Sequence, residues 1–131
     1  MILAAVDELF FKIKIVEAAK QVGARLATAS TAADALARAR AERPGLIILD
    51  LHSAPCAPLE VLRALKADPE RRDIPVLMLT GLRQGKAISR ATAEGAAGYL
   101  LKPFVPNQLV ERVRQLVGGH ADTAAAPQVR Y

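Results

Sequence analysis

Five short, almost continuously apolar runs separated by longer amphipathic stretches predict an α/β protein with a covered parallel sheet. Strands buried on both faces lose the polar alternation of a half-solvated sheet. The stretches between them carry the three- to four-residue apolar spacing of helices. A length of 131 residues suits one domain with a sizeable core and is short for two. The strands are expected at Ile2–Val6, Arg25–Ala29, Leu46–Asp50, Val76–Thr80 and Gly98–Leu101.

Each gap fits a helix. Between the first two strands, Phe10, Ile13, Val16, Ala19 and Val22 recur at helical spacing and are expected to face the core, with Gly23 ending the helix. Thr31, three residues before Asp34, is a weak relative of a capping box and opens an Ala-rich helix running to about Glu42, ahead of Pro44. The third helix is expected at Leu59–Ala67, striped by Leu59, Leu62 and Leu65 and stopped by Asp68-Pro69. The fourth, about Gln84 to Glu94, is the least apolar. The fifth runs from Pro106, a residue suited to a first helical position, to Val117, with Leu109, Val113, Leu116 and Val117 inward. Residues 118–131 lose periodicity and read as a flexible tail or the start of a linker, so the domain is expected to span 1–117.

Composition excludes several classes. Hydrophobic residues make up 52% of the chain, but no run approaches the ~18 continuous apolar residues of a membrane span. Residues 1–6 read as a buried strand rather than a signal peptide, which points to the cytoplasm. The single cysteine, Cys56, excludes an internal disulfide or a multi-Cys zinc site and reads as a small loop residue. The formal charge of +5 is uneven: residues 1–82 carry 11 basic and 10 acidic side chains, residues 83–131 carry 7 and 3. Without a Lys/Arg run or interleaved aromatics, this basic C-terminal part is read as a solvated face or one that meets an acidic protein, not nucleic acid.

In an open parallel sheet, ligands gather beyond the carboxyl ends of the strands. Here those ends carry Asp7 and Glu8 after the first strand, Asp50 on the third, Thr80-Gly81 on the fourth and Lys102-Pro103 after the fifth. Taken singly, each is an ordinary turn former, cap or exposed cation. Together they bring carboxylates, a hydroxyl beside a glycine amide, and an amine to one sheet edge. That is the inventory needed to transfer a phosphoryl group onto a carboxylate.

The motifs Val6-Asp7-Glu8, Leu46-Ile-Ile-Leu-Asp50-Leu51, Val76-Leu-Met-Leu-Thr80-Gly81 and Gly98-Tyr-Leu-Leu-Lys102-Pro103-Phe104 resemble those of the receiver family of two-component response regulators. The intervals from Asp50, 30 residues to Thr80, 49 to Tyr99 and 52 to Lys102, match the family without an insertion. The resemblance covers residues 1–117. It implies a doubly wound, three-layer α/β/α fold with strand order 2-1-3-4-5. It implies that Asp50 accepts a phosphoryl group from a sensor histidine kinase, a phosphotransfer protein or a small donor. Mg2+ would be held by Asp50, Asp7 and the His52 carbonyl. Lys102, Thr80 and the Gly81 amide would hold the phosphoryl oxygens. Thr80 and Tyr99 would form the switch that repacks the face of the fourth helix, fifth strand and fifth helix, where a downstream protein is met. The Lys102-Pro103 peptide is expected to be cis. No enzyme activity is implied beyond Mg2+-dependent self-phosphorylation and dephosphorylation of Asp50.

Some positions depart from the family pattern. Val6 stands where the first of two acids is usual, so weaker Mg2+ binding is expected. Glu8 is a candidate substitute ligand, although a charge in the first turn of the helix is its simpler role. Pro58 takes the place of a usual glycine. The His52 side chain either positions or blocks a hydrolytic water or is an exposed loop group with only its carbonyl used, and the second is preferred. These departures leave an alternative function: a pseudo-receiver that binds a protein partner independently of phosphorylation.

Overall fold

The five apolar runs form a single parallel sheet in the order β2-β1-β3-β4-β5, with β1 at Ile2–Ala5, β2 at Leu26–Ala29, β3 at Leu46–Asp50, β4 at Val76–Thr80 and β5 at Gly98–Leu101. The structure, a computed structural model, describes residues 1–81 and 85–118. β1, β3 and β4 are buried along their whole length, as a sheet covered on both faces requires. The register sets Asp50 beside Leu79 and Thr80 beside Leu101, so the polar strand ends share one edge.

The helices are α1 (Leu9–Gln21), α2 (Ala32–Glu42), α3 (Pro58–Ala67), α4 (Gly85–Ala93) and α5 (Pro106–Val113). Side-chain alternation along the strands splits the core in two. Ile2, Ala4, Val6, Leu46, Ile48, Leu77, Leu79 and Leu100 pack under α1 and α5. Leu3, Ala5, Ile47, Leu49, Val76 and Met78 pack under α2, α3 and α4. The result is the expected three-layer, doubly wound arrangement.

The helix ends follow local chemistry. Thr31 Oγ1 accepts the Asp34 N–H at 3.1 Å as the α2 N-cap. After α1 the chain turns at Gly23 with φ +70°, a conformation glycine adopts without a Cβ penalty. At α5, Gln108 Oε1 accepts the Val105 N–H at 3.0 Å; this is half of a capping box, since Val105 has no polar side chain to return the bond. Asp68 accepts from the Glu70 N–H and from Arg71 in the turn after α3, and these partners, the backbone bond first, hold its carboxyl below the usual carboxylate range.

Three expectations need correction. α1 is rotated from the anticipated stripe: Phe11, Ile15, Ala18 and Ala19 are buried, while Phe10 is 57% and Ile13 60% exposed and Val16 is also at the surface. Both sets have helical spacing, and packing of Phe11 against Phe104 selects the inner one. α5 stops at Val113 and continues as a π turn through Arg114–Gly118, with Leu116 and Val117 only partly buried. Leu59 is half-buried, and Pro58, Val61, Leu62 and Leu65 form the inner face of α3. The expected start of α4 at Gln84 and the tail beyond Gly118 lie outside the described residues. No helix among the described residues is long and apolar enough to cross a membrane.

The rotation of α1 is testable by truncation. Ile15→Ala should cost about 2–5 kcal/mol of unfolding free energy in urea titrations, whereas Ile13→Ala should change it by less than about 0.5 kcal/mol. The reverse order would restore the anticipated stripe.

Candidate functional site

Strand parity brings the principal pair together. Asp50 continues the Leu46–Ile48 row toward the α1 and α5 layer, and Lys102 continues the row of Leu100 just beyond β5. Lys102 Nζ donates to Asp50 Oδ1 at 2.9 Å, and the His52 N–H donates to the same oxygen at 2.9 Å. The Asp50 side chain is 1% exposed and that of Lys102 7%. An unpaired carboxylate at that depth would cost several kcal/mol, so each charge depends on the other. Ladder bonds reach the site itself: the Leu51 N–H donates to the Leu79 carbonyl at 2.9 Å and the Lys102 N–H to the Thr80 carbonyl at 2.7 Å. The Lys102-Pro103 peptide is cis.

Thr80 is fully buried at the end of β4, and its Oγ1 donates to the Gly81 carbonyl at 3.2 Å. Gly81, half-buried, follows directly. Asp50, Lys102, Thr80 and Gly81 therefore share the edge that the strand-end pattern indicated.

The acidic groups are less concentrated than expected. Asp7 and Glu8 are both exposed, and Glu8 is the residue preceding α1, not part of its first turn, with no hydrogen bond from its side chain to the helix. Among the described residues no cluster of three or more metal-ligating side chains occurs, so Glu8 does not join Asp7 and Asp50. Val6 is fully buried in the α1 and α5 layer of the core. Two carboxylates remain on this side of the sheet, Asp7 and Asp50, and both act electrostatically on the Cys56 thiol. Carboxylate oxygens are hard ligands. That fits Mg2+, which binds through one or two carboxylates and keeps several waters.

The β3 to α3 loop resolves the question raised by Pro58. A 3-10 turn at Ala54–Cys56 leads to Ala57 at φ +39°, and Pro58 opens α3. Proline cannot take a positive φ, and the left-handed residue is the one before it, Ala57. His52 has an exposed side chain at the start of this loop. Cys56 is fully buried. Burial pushes its thiol pKa up, the Asp7 and Asp50 carboxylates add to that, and the Ser53 hydroxyl and Lys12 oppose it. Ser53 Oγ faces this thiol without completing a hydrogen bond and is buried with no partner among the described residues. Tyr99 is exposed on β5, and its carbonyl accepts a bond from Arg112 of α5. Lys86 and Arg90 of α4 are exposed, and Arg114, also exposed, lies beside Met1, Gln21 and Gly45 at the opposite end of the strands.

Two participants escaped the sequence reading. Ser53 is buried, and nothing in its spacing marks it so. Phe11 places its ring centroid 4.7 Å from Lys102 Nζ. Its signal was the alternative stripe Phe11, Ile15, Ala18 and Val22, which has the same helical spacing as the one chosen.

A parallel sheet in this order with an acid, a hydroxyl and a lysine at its carboxyl edge defines a class of phospho-switch folds. A family model for the response regulator receiver domain matches residues 2–114, and the chain belongs to that family. It is 35% identical over 91 residues to the DNA-binding response regulator MtrA of Mycobacterium tuberculosis, covering 70% of this chain and 39% of MtrA. It is also 35% identical over 104 residues to the transcriptional regulatory protein PrrA of Mycobacterium bovis, covering 79% and 44%. The chain thus spans less than half the length of these curated relatives. Among solved structures, a putative response regulator from Chloroflexus aurantiacus superposes with a TM-score of 0.83 at 24% identity, covering 89% of this chain and 96% of that one. The chemotaxis response regulator CheY4 of Vibrio cholerae gives 0.80 at 27%, covering 88% and 96%.

Two outcomes follow from this geometry. Lys102→Met, which strands the Asp50 carboxylate, should lower the unfolding free energy by about 3 kcal/mol at neutral pH, and the double variant with Asp50→Ala should regain most of it; urea denaturation measures both. Cys56, buried and with a raised thiol pKa, should react with a thiol reagent at pH 8 only after denaturant is added.

Proposed function

We propose that the chain is a phosphoryl-accepting signalling switch with Asp50 as the acceptor. The Lys102 to Asp50 ion pair carries this reading, because it sets a buried carboxylate beside an amine that is ready to follow the incoming charge. Among the described residues the hydrogen bonds to the carboxylate from Lys102 and the His52 N–H fall on Oδ1, and Oδ2 is the oxygen proposed to attack. On attack, the new O–P bond forms as the bond to the donor, a phosphohistidine nitrogen or a small acyl phosphate, breaks and its electron pair leaves with the donor. Lys102 passes from Oδ1 to a phosphoryl oxygen, and the Thr80 hydroxyl and Gly81 amide take the others. Asp7, Asp50 and the His52 carbonyl would hold Mg2+, which when bound neutralises charge between carboxylate and phosphoryl oxygens.

The inward turn of Thr80 would then draw the exposed Tyr99 ring down and change the surface of α4, β5 and α5. The exposed Lys86 and Arg90 of α4 give that surface a basic character suited to an acidic protein partner. The donor is proposed to be a sensor histidine kinase or a phosphotransfer protein. The exposed Leu9, Phe10 and Ile13 of α1 supply an apolar contact for such a protein.

A second reading, a phosphorylation-independent interaction module, is favoured by one observation: Val6 is committed to the core and brings no carboxylate to the metal side. Incubation with a small phosphodonor and Mg2+ separates the two. One added phosphoryl group by intact mass, lost in Asp50→Asn and on Mg2+ chelation, is expected; no addition at saturating Mg2+ would sink the acceptor reading.

A further inference from the structure

All three phenylalanines of the chain meet two lysines beside the Asp50 pocket. The Phe11 ring stacks on Phe104 at 5.5 Å between centroids, and Phe10 meets Phe11 edge-on at 5.3 Å. Lys14 Nζ donates to the Phe104 carbonyl at 2.5 Å and lies 4.5 Å from the Phe10 centroid, which ties α1 to the loop that follows Lys102. Lys102 Nζ stands over the Phe11 ring, 4.7 Å from its centroid.

We propose that Phe11 is a positioning residue for phosphoryl transfer, its ring face holding the Lys102 ammonium at the Asp50 carboxylate. This rests on the acceptor reading above. The Lys102 ammonium has three N–H groups, one of which is given to Asp50 Oδ1. The negative face of an aromatic ring attracts a cation strongly in a desolvated site, yet offers no directional acceptor. The amine is therefore held laterally while remaining free to pivot from the carboxylate to a phosphoryl oxygen. A carboxylate in place of the ring would compete for the same N–H groups. Val6, apolar and packed in the same core layer as Phe11 and Phe104, adds no such competitor. Phe104 and Lys14 fix the ring in turn, so the amine inherits its position from a stack anchored at both ends. A phenylalanine that only filled the core would be indifferent to the electronics of its ring.

That difference supplies the test. Phenylalanines with increasing fluorination are incorporated at position 11 of the full chain, which weakens the ring's negative face while nearly preserving its shape. The phosphorylation rate with acetyl phosphate at saturating Mg2+ should fall stepwise along the series, by roughly 2- to 20-fold in all, with the thermal unfolding midpoint unchanged. Phe11→Leu should match or exceed the largest loss, and Phe11→Tyr, which keeps the face, should restore the rate. A flat rate along the fluorinated series overturns the proposal. If the natural chain takes up no phosphoryl group, the acceptor reading fails and the contact is still decided by NMR. The Lys102 ε-protons should be shifted upfield by the ring and return toward their ordinary position in Phe11→Leu; unshifted protons in the natural chain overturn the assignment.

Discussion

An ionised carboxylate buried at the end of a β-strand is stable only if a cation is delivered to it, and Lys102 is delivered to Asp50 by the sheet itself. The two residues are 52 positions apart in the chain, yet β3 and β5 are separated only by β4. Bonds on either side, from Leu51 to Leu79 and from Lys102 to Thr80, fix the heights of the acid and the base relative to the same strand. A slip of one residue in β5 would turn the lysine to the opposite face. The register of a purely apolar sheet is thus what sets the geometry of its polar edge.

Most of the fold was legible because its signals were redundant. β3 and β4 begin and end where the apolar runs do, since strands buried on both faces have no polar positions to blur their limits. The order of the strands was not legible from periodicity; it came from the resemblance carried by Asp50, Thr80 and Lys102. α1 was misread because two overlapping apolar stripes fit one helix. Only the partner across the gap, Phe104, determines which faces inward, and no local pattern contains that information. The same blind spot hid Phe11, whose contact with Lys102 exists only once α1 has its observed rotation.

Val6 and the β3 to α3 loop illustrate how departures from a pattern are absorbed. At position 6 a side chain that continues the Ile2–Ala4 row belongs to the hydrophobic layer by parity. A valine there is well solvated by its neighbours, and a carboxylate would have needed a cation or water to reach it. The chain has gained packing where a charge was expected. In the loop, the left-handed conformation falls on Ala57, directly before Pro58, and costs of order 1 kcal/mol for a residue with a Cβ. The Ser53 hydroxyl, buried with no hydrogen-bond partner among the described residues, is a second local feature of this loop.

The separation of Asp50 from Lys102 also has a meaning in time. At about 5–20 residues per second, the 52 residues between them take roughly 3–10 s to synthesise. Throughout that interval the nascent chain holds an acid with no base, along with the apolar rows of β1 and β3. A β3 buried to its final depth in that interval would hold the carboxylate without Lys102, at a cost of several kcal/mol. β5 thus brings the edge of the sheet and the counter-charge of the acid together.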